Sequence, residues 1–316
     1  MTLKAPDGTL DLLAIGEALV DFVSLDKVEA LSQAGSFERH IGGSPTNIAV
    51  NMTRLGGRSG IVARVGDDAF GRFLRAKLDC LGVVTAGLRT DPHARTSLVF
   101  VAQTNGTPDF LAYRDADYHL EPADIDEALV ASARIIHTST WPLSKEPARS
   151  AVDHALRLAQ SEGRLISVDP NYSPRVWPRR KEALTILGEM LKYASLTKPS
   201  MDDAQRLFGR GMTPEAYIAR FHELGPAVVV LTMGANGLLL SEGGRLTHVP
   251  ARPVQVVDVT GAGDAFWSGF LVALLDGYPL ERCAYVAREA AELKLRQIGP
   301  LPEGVNRQEL YRQATG

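Results

Sequence analysis

The stretch VVDVTGAGDAFWSGFLVAL, Val256–Leu274, decides how the rest of the chain is interpreted. From Ala262 to Leu275 the residues are good helix formers with an apolar majority, and Gly277 supplies a stop signal. The first N–H groups of a helix lack intrahelical partners, so they attract anions. The stretch therefore predicts a buried helix whose N-terminus can face a negatively charged group.

The residues at this helix start allow two interpretations of Asp264. Gly261, Ala262 and Gly263 are expected to present N–H groups to a phosphate or a transferring phosphoryl group. A carboxylate beside that anion could accept the proton of an attacking hydroxyl. It could equally do no more than complement the helix dipole, which is worth about 0.3–1 kcal/mol. The motif alone leaves both interpretations open.

Outward from this stretch, apolar strand-like runs alternate with amphipathic helical ones. Such alternation predicts an α/β fold with a doubly wound, mostly parallel sheet covered by helices on both faces. The strand-like runs are LDLLAIG (10–16), SGIVARVG (59–66), ARIIHTS (133–139), RLISVD (164–169), AVVVLTMG (227–234) and VQVV (254–257).

The segment SPTNIAVNMTRLGG, residues 44–57, has the start and stop signals of a helix. Ser44 can cap it and Pro45 suits the first helical position. Gly56 or Gly57 is expected to close it.

One segment interrupts the alternation. TSLVFVAQTNGTPDFLAYRD, Thr96–Asp115, holds two β-rich runs around Asn105 and Gly106, a strong hairpin signal. Residues 19–41 also lack a clear long helix. A hairpin appended to a doubly wound domain predicts a lid, a dimer edge or a surface decoration, and the residues alone do not choose among them.

Bulk properties exclude several classes of protein. Among 316 residues, 34 Lys and Arg oppose 37 Asp and Glu, so the net charge is −3 and no basic excess indicates nucleic acid or a membrane surface. The two cysteines have no metal or redox spacing, which favours buried thiols in a reducing compartment. With no signal-peptide pattern and no apolar run of about 20 residues, we expect a cytoplasmic protein.

Polar residues follow the predicted strands where each strand ends. Because ligands bind beyond the carboxyl ends of parallel strands, these residues are expected along one edge of the sheet. They are Asp169, Lys198, Thr232, Gly234, Asp258 and Thr260. The chain contains no P-loop sequence, and no dinucleotide fingerprint follows the first strand, which argues against a P-loop enzyme and against a nicotinamide-dependent oxidoreductase.

Three stretches, GEALVDF (16–22), GGSPTNIAVNMTRLGG (42–57) and DVTGAGDAFWSGFL (258–271), resemble the ribokinase-like, or phosphofructokinase B, family of carbohydrate kinases. The similarity extends in consistent order from about Leu10 to about Gly299. It implies that residues 1–316 form a single α/β kinase domain, with a small β-lid made of about residues 19–41 and 96–115.

The resemblance also implies roles for individual residues. Asp264 matches the family's general base, and Gly261, Ala262 and Gly263 match its anion hole. Hydrogen bonds to the sugar are implied for Asp21, Gly43, Asn47, Arg114 and Asn171, with Tyr113 as the alternative to Arg114 on the lid strand. Asp carboxylates accept hydroxyl protons and Asn amides both donate and accept, which suits a polyol.

Nucleotide and metal contacts follow from the same resemblance. The loop LTMGANG (231–237) matches the part that lies along ATP. ATP contacts are implied for Lys198, Thr232, Gly234 and Gly237. Asp203 is implied to order Mg²⁺ through water, and Asp258 and Thr260 to hold a monovalent cation such as K⁺.

Two departures from the family pattern bear on the chemistry. Ser173 stands where the family has Arg, and Arg175 follows two residues later and could replace it. Ser200 and Asp203 stand where Asn and Glu are usual. These departures keep open a sugar-binding or regulatory protein with little catalysis.

The sequence as a whole indicates an ATP- and Mg²⁺-dependent sugar kinase. Fructose is the first expectation for the sugar, because GGSPTNIA and FLAYR look closest to the fructokinase branch. 2-Keto-3-deoxygluconate, 5-dehydro-2-deoxygluconate and ribose remain alternatives. A homodimer formed through the lid is expected, because an exposed β-edge invites pairing.

Overall fold

A computed structural model describes residues 3–103 and 109–314. Its strands, in chain order, are β1 (Leu10–Ile15), β2 (Leu19–Lys27), β3 (Phe37–Gly42), β4 (Ser59–Gly66), β5 (Val84–Asp91), β6 (Leu98–Gln103), β7 (Asp109–Tyr113), β8 (Ala133–Ser139), β9 (Leu165–Asp169), β10 (Leu196–Thr197), β11 (Val228–Thr232), β12 (Leu238–Glu242) and β13 (Arg245–Val249). Its helices are α1 (Ser44–Arg54), α2 (Ala69–Cys80), α3 (Glu127–Ser132), α4 (Ala148–Ser161), α5 (Arg180–Leu191), α6 (Met201–Phe208), α7 (Pro214–His222), α8 (Ala262–Leu275), α9 (Leu280–Leu295) and α10 (Arg307–Gln313).

Nine strands form one large sheet in the order β13-β12-β11-β10-β9-β8-β1-β4-β5. The strands from β11 to β5 in that order are parallel, and β12 and β13 are antiparallel at one edge. In β1, Leu12 and Ala14 face one hydrophobic core while Leu13 and Ile15 face the other. Because both faces are covered, this central strand is apolar along most of its length. The predicted fold class is confirmed.

The two faces carry different helices. One core includes side chains of α1, α2, α8, α9 and α10, and the other includes side chains of α3 to α7. Helix α8 is apolar around its circumference because it lies in the middle of the first layer. Trp267 anchors it to β9, since its Nε1 donates to Ser167 Oγ over 2.7 Å. A side chain on Gly269 would press on Ala290 at 2.7 Å, so this glycine lets α8 and α9 pack closely.

Four strands form a small second sheet in the order β3-β2-β6-β7. The β2–β6 pair is parallel and the other two pairs are antiparallel. Its inner face buries Leu19, Val23, Val99 and Val101 against Trp141 of the main domain. This sheet is the expected β-lid. The turn at Asn105 and Gly106, on which the hairpin prediction rested, lies outside the described residues.

Three local expectations were wrong. The segment VQVV is not a strand, because Val257 and Asp258 donate their N–H groups to Leu295 O at the end of α9 instead of pairing with the sheet. Ser44 does not cap α1 through its side chain, which bonds elsewhere. Cys80 is exposed rather than buried. Within the described ranges, no helix has both the length and the apolar character needed to cross a bilayer.

Candidate active site

Asp264 lies in the first turn of α8, half-buried, between two donors from α1. Ser44 Oγ donates to its Oδ1 over 2.8 Å, and Asn47 Nδ2 donates to its Oδ2 over 2.9 Å. Loss of solvent raises the pKa of Asp264, while the Asn47 bond and the charge of Lys198 oppose that rise. The carboxylate is therefore oriented at both oxygens and made more basic than a solvated aspartate.

The start of α1 is held by a buried glutamate. Glu17 Oε1 accepts the N–H of Ser44 over 3.0 Å, and Glu17 O accepts Thr46 Oγ1 over 2.8 Å. Gly43 precedes the helix with φ 98°, and a side chain there would meet Glu17 O at 2.5 Å. Burial raises the pKa of Glu17 to about 8. Glu17 thus fixes the turn that carries the two donors to Asp264.

Asp21 on β2 faces this same region from the lid. A side chain on Gly42 would lie 2.3 Å from its carboxyl group, so the glycine makes room for the carboxylate. Burial, and then the charge of Asp264, raise the pKa of Asp21 to about 7. Together with Asn47 and Gly261 it lines a cavity of about 380 Å³. The two carboxylates are close enough to influence each other electrostatically.

The turn before α8 differs from the expected anion site in one of its three N–H groups. Gly261 is left-handed at φ 74°, and the Ala262 N–H is used in a turn to Val259 O at 3.2 Å. A side chain on Gly263 would approach Lys198 Nζ to 3.2 Å. An ammonium thus lies against the helix N-terminus, where both favour a phosphoryl group.

Lys198 is buried and paired with Asp169, whose Oδ2 lies 2.7 Å from Nζ. Burial raises the pKa of Asp169 to about 6, although Lys198 opposes that rise. For Lys198, burial lowers the pKa but the facing carboxylates, Asp169 first, raise it overall. Lys198 is therefore a charged side chain that Asp169 holds in place at this edge of the sheet.

Three of the four predicted nucleotide residues line a second cleft, of about 720 Å³, and Lys198 is not among its lining residues. Thr232, Gly234 and Gly237 form one wall with Ala262 and Gly263, and apolar side chains such as Phe266 line its interior. Gly237 has φ 81°, and a side chain there would meet Val249 O at 2.1 Å. A cleft of this size, lined by apolar side chains and by the backbone of glycine residues, fits a purine nucleotide.

Charged residues also line this cleft. Arg252 bridges Glu289 and Glu292, with Nη2 lying 2.6 Å from Glu292 Oε2. Arg288 lies 3.7 Å from Glu292. The two arginines and the two glutamates at this cleft therefore neutralise one another's charge.

Asp203 and Asn171 lie near Lys198 but are engaged locally. Asp203 Oδ2 accepts the N–H and the hydroxyl of Ser200, and Oδ1 accepts the N–H of Tyr172 over 2.7 Å. Asn171 is exposed, has φ 35°, and donates its N–H to Asp169 over 3.1 Å. In the described part of the chain, no group of three or more metal-binding side chains surrounds a single position.

Arg114 is hydrogen-bonded to its own segment and to the loop after β8. Its Nε and Nη2 donate to Asp117 Oδ2 over 2.8 and 2.6 Å, and Nη1 donates to Ser144 Oγ over 2.6 Å. The arginine therefore ties the end of the lid to the loop after β8. The structure places its three donor nitrogens on protein acceptors.

Arg175 reaches the lid. Its Nη2 lies 2.6 Å from Asp109 Oδ1 and its Nη1 donates to Phe110 O. Arg175 is the residue that could replace the arginine that the family has at the position of Ser173. In the structure it joins the β9–α5 loop to the edge of the lid.

Asp258 and Thr260 precede residues 261–263, which form the anion turn. Asp258 Oδ1 accepts the Thr260 N–H over 2.9 Å, and Oδ2 lies 2.5 Å from Lys294 Nζ. Both carboxyl oxygens therefore already have donors from the protein.

Ser44, Glu17 and Lys294 are the site residues that sequence reasoning missed. Ser44 and Asn47 are three positions apart, so they share one helix face, and that spacing could have placed both beside the same partner. For Glu17 and Lys294 no spacing rule gives a signal, because their partners come from distant segments.

Comparison with known proteins gives one consistent picture. The profile of the pfkB family carbohydrate kinases matches residues 9–303. An ATP-dependent 6-phosphofructokinase from Thermoanaerobacterium thermosaccharolyticum is 37% identical over 295 residues, covering 93% of this chain and 91% of that enzyme. Probable fructokinase-7 from Arabidopsis thaliana is 34% identical over 296 residues, covering 92% and 86% respectively.

Among solved structures, the fructokinase of Halothermothrix orenii has a TM-score of 0.79 and 38% identity. The match covers 92% of this chain and 100% of that one.

Proposed function

Because the chain belongs to the pfkB family of carbohydrate kinases and is an ATP-dependent sugar kinase, we propose that its sugar substrate is fructose. The fructokinase relatives at 34% and 38% identity support this choice. The hydrogen bonds of Asp264 and its place beside the anion turn support phosphoryl transfer to a sugar hydroxyl at this site.

One observation carries the proposed mechanism. Gly261 lines the cavity that holds Asp21 and Asn47, while Ala262 and Gly263 line the cleft that fits a nucleotide. The anion turn therefore lies between the two cavities. A phosphoryl group bound there is within reach of groups in both.

The proposed reaction follows from that placement. Asp21 and Asn47 orient the sugar, and Asp264 takes the proton of its primary hydroxyl. The hydroxyl oxygen attacks the γ-phosphorus in line, the bond from that phosphorus to the bridging oxygen breaks, and ADP leaves. Lys198 and the N–H groups at the start of α8 stabilise the charge that develops on the phosphoryl oxygens.

We propose that Mg²⁺ accompanies ATP. Mg²⁺ commonly keeps several waters and takes only one or two carboxylates from the protein in addition to the phosphates. Asp169 is paired with Lys198, and the charge of Asp203 also acts on this lysine. Asp203 Oδ1 accepts one N–H and so has a second lone pair for a water, whereas Oδ2 already accepts two donors from Ser200. The ion would neutralise phosphate charge in this site.

A lid over the sugar is consistent with the contacts of Arg114 and Arg175 with the second sheet. Both arginines join the lid to the main domain. We propose that the closed lid excludes water and so limits hydrolysis of ATP.

A panel of sugars tests the proposed substrate. ADP formation is measured with fructose, fructose 6-phosphate, ribose, 2-keto-3-deoxygluconate and 5-dehydro-2-deoxygluconate at equal concentrations. We expect kcat/KM for fructose to exceed each of the others at least tenfold. Turnover of another sugar with fructose inert would reject fructose. Sugar binding without any ADP formation would favour a regulatory protein.

Fructose 6-phosphate is the second candidate, because basic side chains line the sugar cavity. Arg39 and Lys77 are exposed at its rim, and Arg54 lies further inside, 3.0 Å from Glu303. The relative at 37% identity is a 6-phosphofructokinase. If this sugar is the substrate, Arg39→Ala and Lys77→Ala will raise KM for fructose 6-phosphate and leave KM for fructose unchanged.

We propose a homodimer through the outer face of the lid. Leu111 and Tyr113 are 49% and 59% exposed there, beside the stacked rings of Phe22 and Phe100. Exposed apolar clusters of this kind mark protein interfaces. Light scattering is expected to give about twice the 34.1 kDa of one chain, and Leu111→Lys to give the single-chain mass. A wild-type monomer at micromolar concentration would refute this.

We propose the cytoplasm as the compartment. The chain has a free, exposed thiol at Cys80 and a free, buried one at Cys283. Unpaired thiols are typical of reducing compartments.

A further inference from the structure

Lys294 carries a fully buried ammonium in the last turn of α9. The residue is 1% exposed. Its Nζ donates to Asp258 Oδ2 over 2.5 Å, to Asp258 O over 3.2 Å and to Gln297 O over 3.1 Å. Three acceptors around one nitrogen require three N–H donors, which only the charged form possesses. The side chain is therefore an ammonium held in a ring of oxygens.

This ring of oxygens lies directly behind the anion turn. Asp258 is three residues before Gly261, and a side chain on Gly261 would lie 3.9 Å from Lys294 Cε. The N–H of Val257 donates to Leu295 O over 2.7 Å, so the same helix end holds the preceding backbone. The charge of Lys294 is among the influences that lower the pKa of Asp264. The ammonium thus both orders the turn and adds positive charge beside it.

The expected potassium ion does not fit this arrangement. Asp258 and Thr260 are the residues that the family resemblance assigns to a monovalent cation. Asp258 Oδ2 and its carbonyl oxygen face Lys294, and Asp258 Oδ1 accepts the N–H of Thr260. Potassium is also bound by oxygens and carries the same charge. An ion and the ammonium cannot share these atoms, so one excludes the other.

We propose that Lys294 is a built-in monovalent cation, which makes phosphoryl transfer in this kinase independent of potassium. The proposal rests on the proposed chemistry at the Gly261–Asp264 turn. A tethered cation is always present and needs no ion from solution. Because it comes from α9, it also couples the position of that helix to the anion turn.

The wild-type enzyme supplies the first test. Turnover of ATP with the best sugar of the panel is measured in sodium, potassium and tetramethylammonium chloride at constant ionic strength. The melting temperature is measured in the same buffers. We expect kcat to change less than twofold and the melting temperature to stay within about one degree. A fivefold or greater activation by potassium would overturn the proposal.

Truncation of the lysine supplies the second test. Lys294→Ala leaves space among the oxygens, whereas Lys294→Met removes the charge and fills that space. Without potassium, both variants are expected to lose at least tenfold in kcat. Potassium or ammonium ions at tens of millimolar should restore the Ala variant at least fivefold and raise its melting temperature, and should do neither for the Met variant. Lys181→Met, at an exposed position on α5, is the control.

Several outcomes would contradict the proposal. Full activity of Lys294→Ala without potassium would show that the charge is not needed. A folded Ala variant that neither ion restores would show that these oxygens are not a monovalent-cation site. If the Ala variant does not fold, the wild-type response to potassium decides alone. The melting temperatures need no turnover, so failure of the fructose assignment leaves this test intact.

Discussion

Replacing Asp264 by asparagine is expected to lower kcat at least a hundredfold while leaving the fold and ATP binding intact. General-base catalysis contributes about 10²–10⁴-fold, and asparagine cannot take a proton from the sugar hydroxyl. Its oxygen and NH₂ can still meet Ser44 and Asn47, whose side chains now lie 2.8 and 2.9 Å from the carboxylate. The measurements are steady-state kinetics and titration calorimetry with a non-hydrolysable ATP analogue.

Asp202→Asn is the matched control for this variant. Asp202 also lies in the first turn of a helix, α6, but it is exposed. If Asp264 served only the helix dipole, both variants would lose at most about 1 kcal/mol of stability and keep their kcat. Near-normal turnover of Asp264→Asn would therefore remove the base from the mechanism. Loss of ATP binding would instead place Asp264 in nucleotide recognition.

Replacing Asp21 by alanine is expected to lower kcat/KM for the sugar at least a hundredfold and to leave KM for ATP unchanged. A hydrogen bond to a charged group is worth about 1.5–3 kcal/mol, and a carboxylate with two oxygens can accept two sugar hydroxyls. Asp21 lines the sugar cavity and is absent from the lining of the nucleotide cleft. Asp26→Ala, at an exposed position on the same strand, is the control.

The pH dependence of sugar binding supplies an independent test of Asp21. Its pKa of about 7 means that the sugar-free protein protonates this carboxyl as the pH falls below neutrality. Hydroxyl donors bind the ionised form, so sugar affinity is expected to fall about tenfold per pH unit below 7 and to level off above it. In Asp21→Asn the profile should be flat over that range. An equal slope in both proteins would assign the titration to another group.

Much of the fold was predictable because the information is local. Apolar runs such as that of β1 alternate with helical segments, and both faces of the sheet are buried as that alternation requires. Helix α8 begins at Ala262 and ends at Leu275, where its composition and the glycine beyond it placed it. The lid strands were foreseeable as β-rich runs, although not the parallel pairing of β2 with β6.

The sequence by itself determined the fold class and the helix start that carries Asp264, since period, capping and turn signals act over a few neighbouring residues. Only the tertiary structure decided what those residues meet. Ser44 and Asp264 are 220 positions apart, and Lys294 reaches Asp258 across 36. The VQVV segment does not form a strand, because the N–H of Val257 donates to Leu295 O at the end of α9. Each of these outcomes depends on which groups from distant parts of the chain come within about 3 Å of each other. Tertiary packing determines those distances, and the order of residues along the chain does not reveal them.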